Sequence, residues 1–255
     1  CRRTMDIGKL FLRPADNDAR LVELDKKYVW HPFTQMRDWL SEEPLVIDRG
    51  EGSYLIDAKG RRYLDGVSSL WVTVHGHRRK ELDEALKRQI DKLAHSTMLG
   101  LSNTPAVELA EKLIGIAPQG LAKVFYSDNG STSVEIAIKM AYQYWQNRGQ
   151  KRKTAIVHLA NSYHGDTLGS VSVGGIDLFH KVYRKLIFKT IRLDFPDCYR
   201  APAGKMYPDF AFEAVDRFEA MLKKRSAGIA AIVLEAGVQG AAGMIMWPKG
   251  VLKRF

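Results

Sequence analysis

The sequence predicts an α/β fold: a mostly parallel sheet covered by helices, entered through an antiparallel meander. Two observations carry this. From residue 123 onward, short apolar runs alternate with amphipathic helical patterns, and such alternation builds a parallel sheet with helices on its faces. Before residue 72, three short β-rich runs are separated by glycine-containing turns, the pattern of an antiparallel meander.

Residues 5–27 read as a polar, partly helical arm. Trp30-His31-Pro32-Phe33 follows, where Pro32 biases the chain away from helix. Strands are predicted at 44–47, 53–57 and 62–65, joined through Arg49-Gly50-Glu51-Gly52 and Ala58-Lys59-Gly60. Leu82, Ala85, Leu86, Ile90 and Leu93 fall at helical spacing and predict a helix over 81–95. Val107, Leu109, Ala110 and Leu113 do the same over 105–116. A strand at 123–126 leads to a helix over 134–147, whose face is Val134, Ala137, Ile138, Ala141, Tyr142 and Trp145. Strands at 154–159 and 229–234 flank a helix at 212–224. The closing Val251-Leu252-Lys253-Arg254-Phe255 reads as the opening of a helix, and Cys1 stands where an initiator Met would. Both ends are expected to be those of a fragment.

The 255 residues are 45% hydrophobic and 27% charged, a globular balance that excludes collagen, coiled coil and disorder. The net charge is +10. Its basic residues occur in short groups such as Arg78-Arg79-Lys80 and Lys223-Lys224-Arg225, each at an expected helix end or turn, which reads as a solvated face. No basic stripe carries interleaved aromatics, so nucleic acid is not an expected partner; the most apolar stretch, 227–238, is broken by Glu235 and too short to span a bilayer, so neither is a membrane. Cys1 and Cys198 are too few for a disulfide framework or a metal quartet, which points to a reducing cytoplasm.

Three segments could carry chemistry. Ser127-Asp128-Asn129-Gly130-Ser131-Thr132-Ser133-Val134-Glu135 lies between a strand and a helix, with Thr132 and Glu135 in capping-box spacing. A helix start beside a small residue can hold a phosphate, and it can equally be an Asn-Gly turn with an ordinary cap. Asn161-Ser162-Tyr163-His164-Gly165-Asp166-Thr167 ends the next strand, where open sheets bind ligands. Its Tyr163 can stack on a flat ring or simply close the core. The segment from Glu235 through Gly243 takes a strand into a Gly-rich loop. His75 and His77 form at most half a metal site, because no third ligand accompanies them.

These segments together resemble the class III, fold-type-I, pyridoxal-phosphate-dependent aminotransferases, from about Lys27 to Phe255. The motifs are W-H-P-F-T-Q-M at 30–36, D-G-V-S-S-L-W at 65–71, V-H-G-H at 74–77 and A-H-S-T at 94–97. Y-S-D-N-G-S at 126–131, S-Y-H-G-D-T at 162–167 and V-Q-G-A-A-G-M at 238–244 complete them. The first two are closer to the biotin-pathway branch of the class.

The resemblance implies a three-layer large domain and pyridoxal 5'-phosphate as cofactor. Asn129, Gly130 and Ser131 would hold its phosphate, Tyr163 would stack on its ring, and Glu235 would support the pocket. Phe33 and Trp71 would line the substrate cleft. The substrates implied are 8-amino-7-oxononanoate and S-adenosylmethionine, with lysine as an alternative donor, in a ping-pong reaction within a homodimer. The expected domains are 1–74, an arm with small-domain strands, and 75–255, part of the large domain. The family's imine-forming lysine, its aspartate for the pyridine nitrogen and its C-terminal small domain are expected outside this chain, so the chain alone is expected to be inactive. Asn129 replaces the family's usual Ser or Thr. Leu70 and Phe33 replace a Trp and a Tyr of some biotin-pathway relatives. Ala241 stands where other class III members often carry Glu, which argues against the alternative of an ornithine or 4-aminobutyrate enzyme. A noncatalytic binding module is the remaining alternative.

Overall fold

The computed structural model describes residues 18–197, 199, 203–204 and 209–255. The first part of the expected arm, together with Cys1 and Cys198, lies outside them. The chain divides into two compact units, one ending at Leu109 and one running from Ala110 to Phe255. The 74/75 division expected above concerns family domains and falls elsewhere.

In the first unit, helix α1 (Asp18–Tyr28) is followed by a short helix α2 (Met36–Ser41). Asp25 joins them: its carboxylate takes the Trp39 indole N–H at 2.8 Å and lies 2.9 Å from His31 Nε2. The aromatic side chains at the tip of this arm stay largely uncovered within the unit, Trp30 at 85% and Phe33 at 75% exposure.

The meander consists of β1 (Ile47–Glu51), β2 (Tyr54–Asp57) and β3 (Arg62–Leu64), all antiparallel, in the order β1-β2-β3. The first strand, expected at 44–47, starts at Ile47 instead and runs through Gly50, so the turn shrinks to Gly52-Ser53. Pro44 has no amide to donate to a ladder, while Gly50 fits the strand because the His77 side chain fills the space above it: a Cβ there would lie 2.6 Å from His77 Cγ. Buried Asp57 closes the second turn by accepting from the Lys59 and Arg61 amides at 3.0 and 2.8 Å.

The segment after the meander has no counterpart in the sequence pattern. Ser68–Trp71, α3, is a left-handed turn: Ser68, Ser69, Leu70 and Trp71 have φ of 49, 43, 59 and 70°. Helices α4 (Lys80–Lys92) and α5 (Thr104–Ile116) follow, at the expected places.

The second unit holds a parallel three-stranded sheet of β4 (Ala155–Leu159), β5 (Ile191–Leu193) and β6 (Ile229–Val233), in the order β5-β4-β6. The run 123–126 is no strand: it joins no ladder among the described residues, and apolar content cannot replace a ladder partner. Helix α6 (Gly130–Asn147) covers one face. Its Ile138 and Tyr142 border the same cleft as Ile156, and the Trp145 indole N–H donates to Ala230 O at 2.7 Å.

The other face of the sheet meets α9 (Asp209–Arg225), after two short helices, α7 (Leu168–Ser172) and α8 (Asp177–His180). Ala211, Ala214, Val215 and Phe218 are its buried residues, a single helical stripe. Side chains alternate along a strand, so Val157 and Leu159 pack toward α9 with Phe195, Trp247 and Val251. Burying each such side chain contributes roughly 1.5–3 kcal/mol. The result is helix, sheet, helix in three layers. The Gly-rich loop after β6 is a hairpin, β7 (Val238–Gln239) with β8 (Ile245–Met246), and α10 (Val251–Arg254) closes the chain.

Candidate functional site

Helix α6 begins four residues earlier than its apolar face suggests. Asn129 is the N-cap: its side-chain oxygen takes the Thr132 amide at 2.9 Å, and the Thr132 hydroxyl oxygen accepts the Asn129 amide at 3.3 Å. The capping box is therefore Asn129–Thr132, not Thr132–Glu135. The Gly130 and Ser131 amides belong to the first turn, where no intrahelical acceptor exists. Free amides aligned with a helix dipole favour a negative charge in front of them. A Cβ placed on Gly130 would meet nothing within 4 Å. The space in front of this turn is open.

The facing wall is the loop at the carboxyl end of β4. Asn129, Gly130, Ser131 and Val134 line one open groove of about 810 Å³ with residues Tyr163 to Thr167. Two clamps hold the walls together. Ser131 Oγ accepts the Thr167 amide at 3.0 Å and lies 2.8 Å from Thr167 Oγ1. Glu135, freed from the cap, accepts the Gly169 amide at 2.7 Å. The approach is so close that a Cβ on Gly165, which has φ of +116°, would overlap the Ser131 side chain.

Tyr163 is fixed at both ends. Its amide donates to Glu235 Oε1 at 2.8 Å, and its hydroxyl donates to Asp166 Oδ2 at 2.6 Å. Burial, reinforced by Asp166, pushes the phenol pKa up to about 12. The other oxygen of Glu235 takes the Gly240 amide at 2.9 Å. Glu235 thus stands behind the groove and ties the tyrosine loop to the hairpin. His164, another wall residue, has its Nε2 buried with no hydrogen-bond partner. Burial lowers its pKa to about 4, so the ring is neutral.

Of the residues singled out in the sequence, Asn129, Gly130, Ser131 and Tyr163 come together on this groove and Glu235 supports it. Phe33 and Trp71 belong to the first unit, both exposed. His77 is engaged by Asp65 at 2.8 Å, and no group of three metal-ligating side chains occurs among the described residues. The sequence reading placed Glu135 in a cap and gave Thr167 and Ser170 no role of their own, because their contacts across the groove span 34 residues or more. The only local signal was an acidic residue one turn inside a helix.

A family model for class III aminotransferases matches residues 36–255. The chain belongs to the class III aminotransferases. Among class III relatives, the adenosylmethionine-8-amino-7-oxononanoate aminotransferase of Geobacter sulfurreducens is 53% identical over 241 residues, 94% of this chain and 53% of its own length. That of Aquifex aeolicus is 51% identical over 91% of this chain and 51% of its own. The crystal structure of the Methanocaldococcus jannaschii enzyme of that name superposes with a TM-score of 0.84 at 44% identity, covering 92% of this chain and 51% of that one. An omega-transaminase from Thermomicrobium roseum reaches 0.87 at 34% identity, over 93% and 53%. The chain therefore spans about half the length of the class III relatives it matches.

Proposed function

We propose that the protein containing this chain is a pyridoxal-phosphate-dependent aminotransferase. It would convert 8-amino-7-oxononanoate to 7,8-diaminononanoate, with S-adenosylmethionine as amino donor and lysine as the alternative donor. The observation that carries the cofactor reading is the groove: an open helix start at Gly130 and Ser131 faces the half-buried ring of Tyr163. A phosphate and a flat heterocycle need that pairing.

The cofactor would supply an electron sink for breaking a bond at the amine-bearing carbon. The chain's own residues bind and orient. The amides of Gly130 and Ser131 hold the phosphate, with Asn129 fixing the turn. Tyr163 presents its ring as a stacking face, held level by Glu235 and Asp166. The half-buried, neutral His164 adds no charge to the groove. Trp71 and Phe33 would contact the aliphatic chain of the amino-oxononanoate, a reading that rests on the resemblance of their motifs. The names of the relatives at 53% and 51% identity favour this substrate over the ornithine or 4-aminobutyrate alternatives. We further propose a homodimer in a reducing cytoplasm. Among the described residues no helix is long and apolar enough to cross a membrane.

The test is a titration with pyridoxal phosphate followed by visible absorbance, paired with an assay for diaminononanoate using each donor. Saturable binding with product from S-adenosylmethionine supports the reading. Saturable binding with no diaminononanoate from either donor would overturn the substrate, and no saturable binding would overturn the cofactor site.

A further inference from the structure

The first unit carries a strained feature that the groove does not explain. Four consecutive residues that are not glycine, Ser68 to Trp71, hold positive φ. Left-handed backbone is costly for L-residues and occurs as single residues, not runs. Such strain persists only where the surroundings over-determine it. Here the surroundings centre on Asp65, whose side chain is 3% exposed. Its Oδ1 accepts the Ser69 amide at 2.8 Å and its Oδ2 accepts the Ser69 hydroxyl at 2.8 Å.

Asp65 is held in turn. His77 Nε2 lies 2.8 Å from its Oδ2, and the Asp65 amide donates to Ser53 O at 2.9 Å. His77 is pinned to the hairpin by two backbone bonds with Gly52, at 2.7 and 3.1 Å, and its ring fills the space over Gly50. The meander is thus a rigid base, and the turn is tied to it at Asp65, by the carboxylate bonds to Ser69 and by the Ser68 amide, which donates to Asp65 O at 3.2 Å. What the turn displays is apolar: Leu70 at 70%, Trp71 at 51% and Val72 at 78% exposure.

We propose that Asp65 and His77 are positioning residues that hold the left-handed Ser68–Trp71 turn, so that Trp71 is presented in one fixed orientation to the aliphatic part of the substrate. This deepens the proposed function and rests on its reading of Trp71 as a substrate contact. Neither Asp65 nor His77 need touch the substrate. They select for its chain through the tryptophan.

The experiment uses the holoenzyme containing this chain, labelled with 5-fluorotryptophan. The Trp71 resonance is assigned by its loss in Trp71→Phe. In Asp65→Ala the Trp71 resonance is expected to shift, and KM for 8-amino-7-oxononanoate to rise about tenfold as the turn relaxes. The value of kcat and the affinity for pyridoxal phosphate, read by absorbance, should stay near wild type. Adding Ser69→Gly should restore both KM and the resonance, because glycine takes the left-handed conformation without strain. A purely structural Asp65 would lower Tm without this selective pattern.

An unmoved Trp71 resonance in Asp65→Ala would overturn the clamp. If that variant does not fold, Ser69→Ala, which deletes one of the two bonds, takes its place: a shifted Trp71 resonance supports the clamp and an unmoved one overturns it. An unchanged KM in Trp71→Ala would instead overturn the substrate reading of Trp71, whatever the resonance shows.

Discussion

Ser131 Oγ accepts the backbone amide of Thr167 at 3.0 Å and also lies 2.8 Å from the Thr167 hydroxyl. The hydroxyl of the helix start is therefore spent on the opposite wall of the groove, and in the proposed site the phosphate would rest on the backbone amides. Ser131→Ala leaves the Thr167 amide without its acceptor, a loss of roughly 1–3 kcal/mol. A lower Tm is expected together with weaker cofactor binding, since the walls are no longer fixed to each other. Unchanged Tm by differential scanning fluorimetry would refute the clamp.

Gly130→Val separates binding from folding. The added side chain meets no protein atom within 4 Å of its Cβ, and the helix-propensity change in a first turn is small. It does occupy the space where an anion would approach the amides. Cofactor affinity is expected to fall by about tenfold or more, the equivalent of about 1.4 kcal/mol, with Tm nearly unchanged. Equal affinity in an absorbance titration would remove the anion role from this turn.

The two kinds of residue just used differ in how legible they are. Helices at Lys80–Lys92 and Thr104–Ile116 are readable because apolar spacing reports a helix face directly. The start of the helix at Gly130 is not, because small polar residues look alike in a loop, a cap and a first turn. Glu135 looks like the second half of a capping box, but its amide partners lie 34 and 35 positions away, and no local pattern reports a distant contact. The run 123–126 has strand composition yet no ladder partner among the described residues. The left-handed Ser68–Trp71 turn has none of the Gly or Asn that would announce it. What holds it is Asp65, three positions earlier in sequence, working with His77 from beyond the turn.

Tyr163 and Glu235 should be separable by their variants. Tyr163→Ala removes a stacking face worth about 1 kcal/mol and should weaken cofactor retention accordingly. Tyr163→Phe keeps the ring and loses the bond to Asp166, so affinity should stay close to wild type. Glu235→Ala frees the Tyr163 and Gly240 amides together. It should cost stability as well as affinity. If Tyr163→Ala binds cofactor like wild type, the stacking role is wrong.

The phenol of Tyr163, with a pKa of about 12, stays protonated throughout the neutral and mildly alkaline range. No alkaline limb between pH 7 and 10 should therefore trace to this residue. Comparing the pH profile of cofactor affinity for Tyr163→Phe with that of the parent checks this: the two should run parallel. A limb present in the parent and lost in Tyr163→Phe would contradict it.

Acid sensitivity should instead come from imidazoles that burial holds below their ordinary pKa: His158, half-buried His164 and, in the same direction, His180. Burial lowers both His158 and His164 to about 4 from an ordinary 6.5. Between those values the unfolded chain binds protons that the folded chain refuses, so stability rises with pH there. The stabilising contribution is fully present above pH 6.5 and is lost as pH falls toward 4. Buried His158 accounts for up to about 3 kcal/mol, and half-buried His164 for less because solvent screens it. The urea midpoint should accordingly drop steeply from pH 6.5 to 4.5. His164→Gln should flatten part of that slope, because glutamine does not titrate. His158→Gln should flatten a further part, since its ring sits inside β4 at 4% exposure, away from the groove surface. A parent protein whose urea midpoint is level across this window would show that none of these imidazoles is held neutral by the fold.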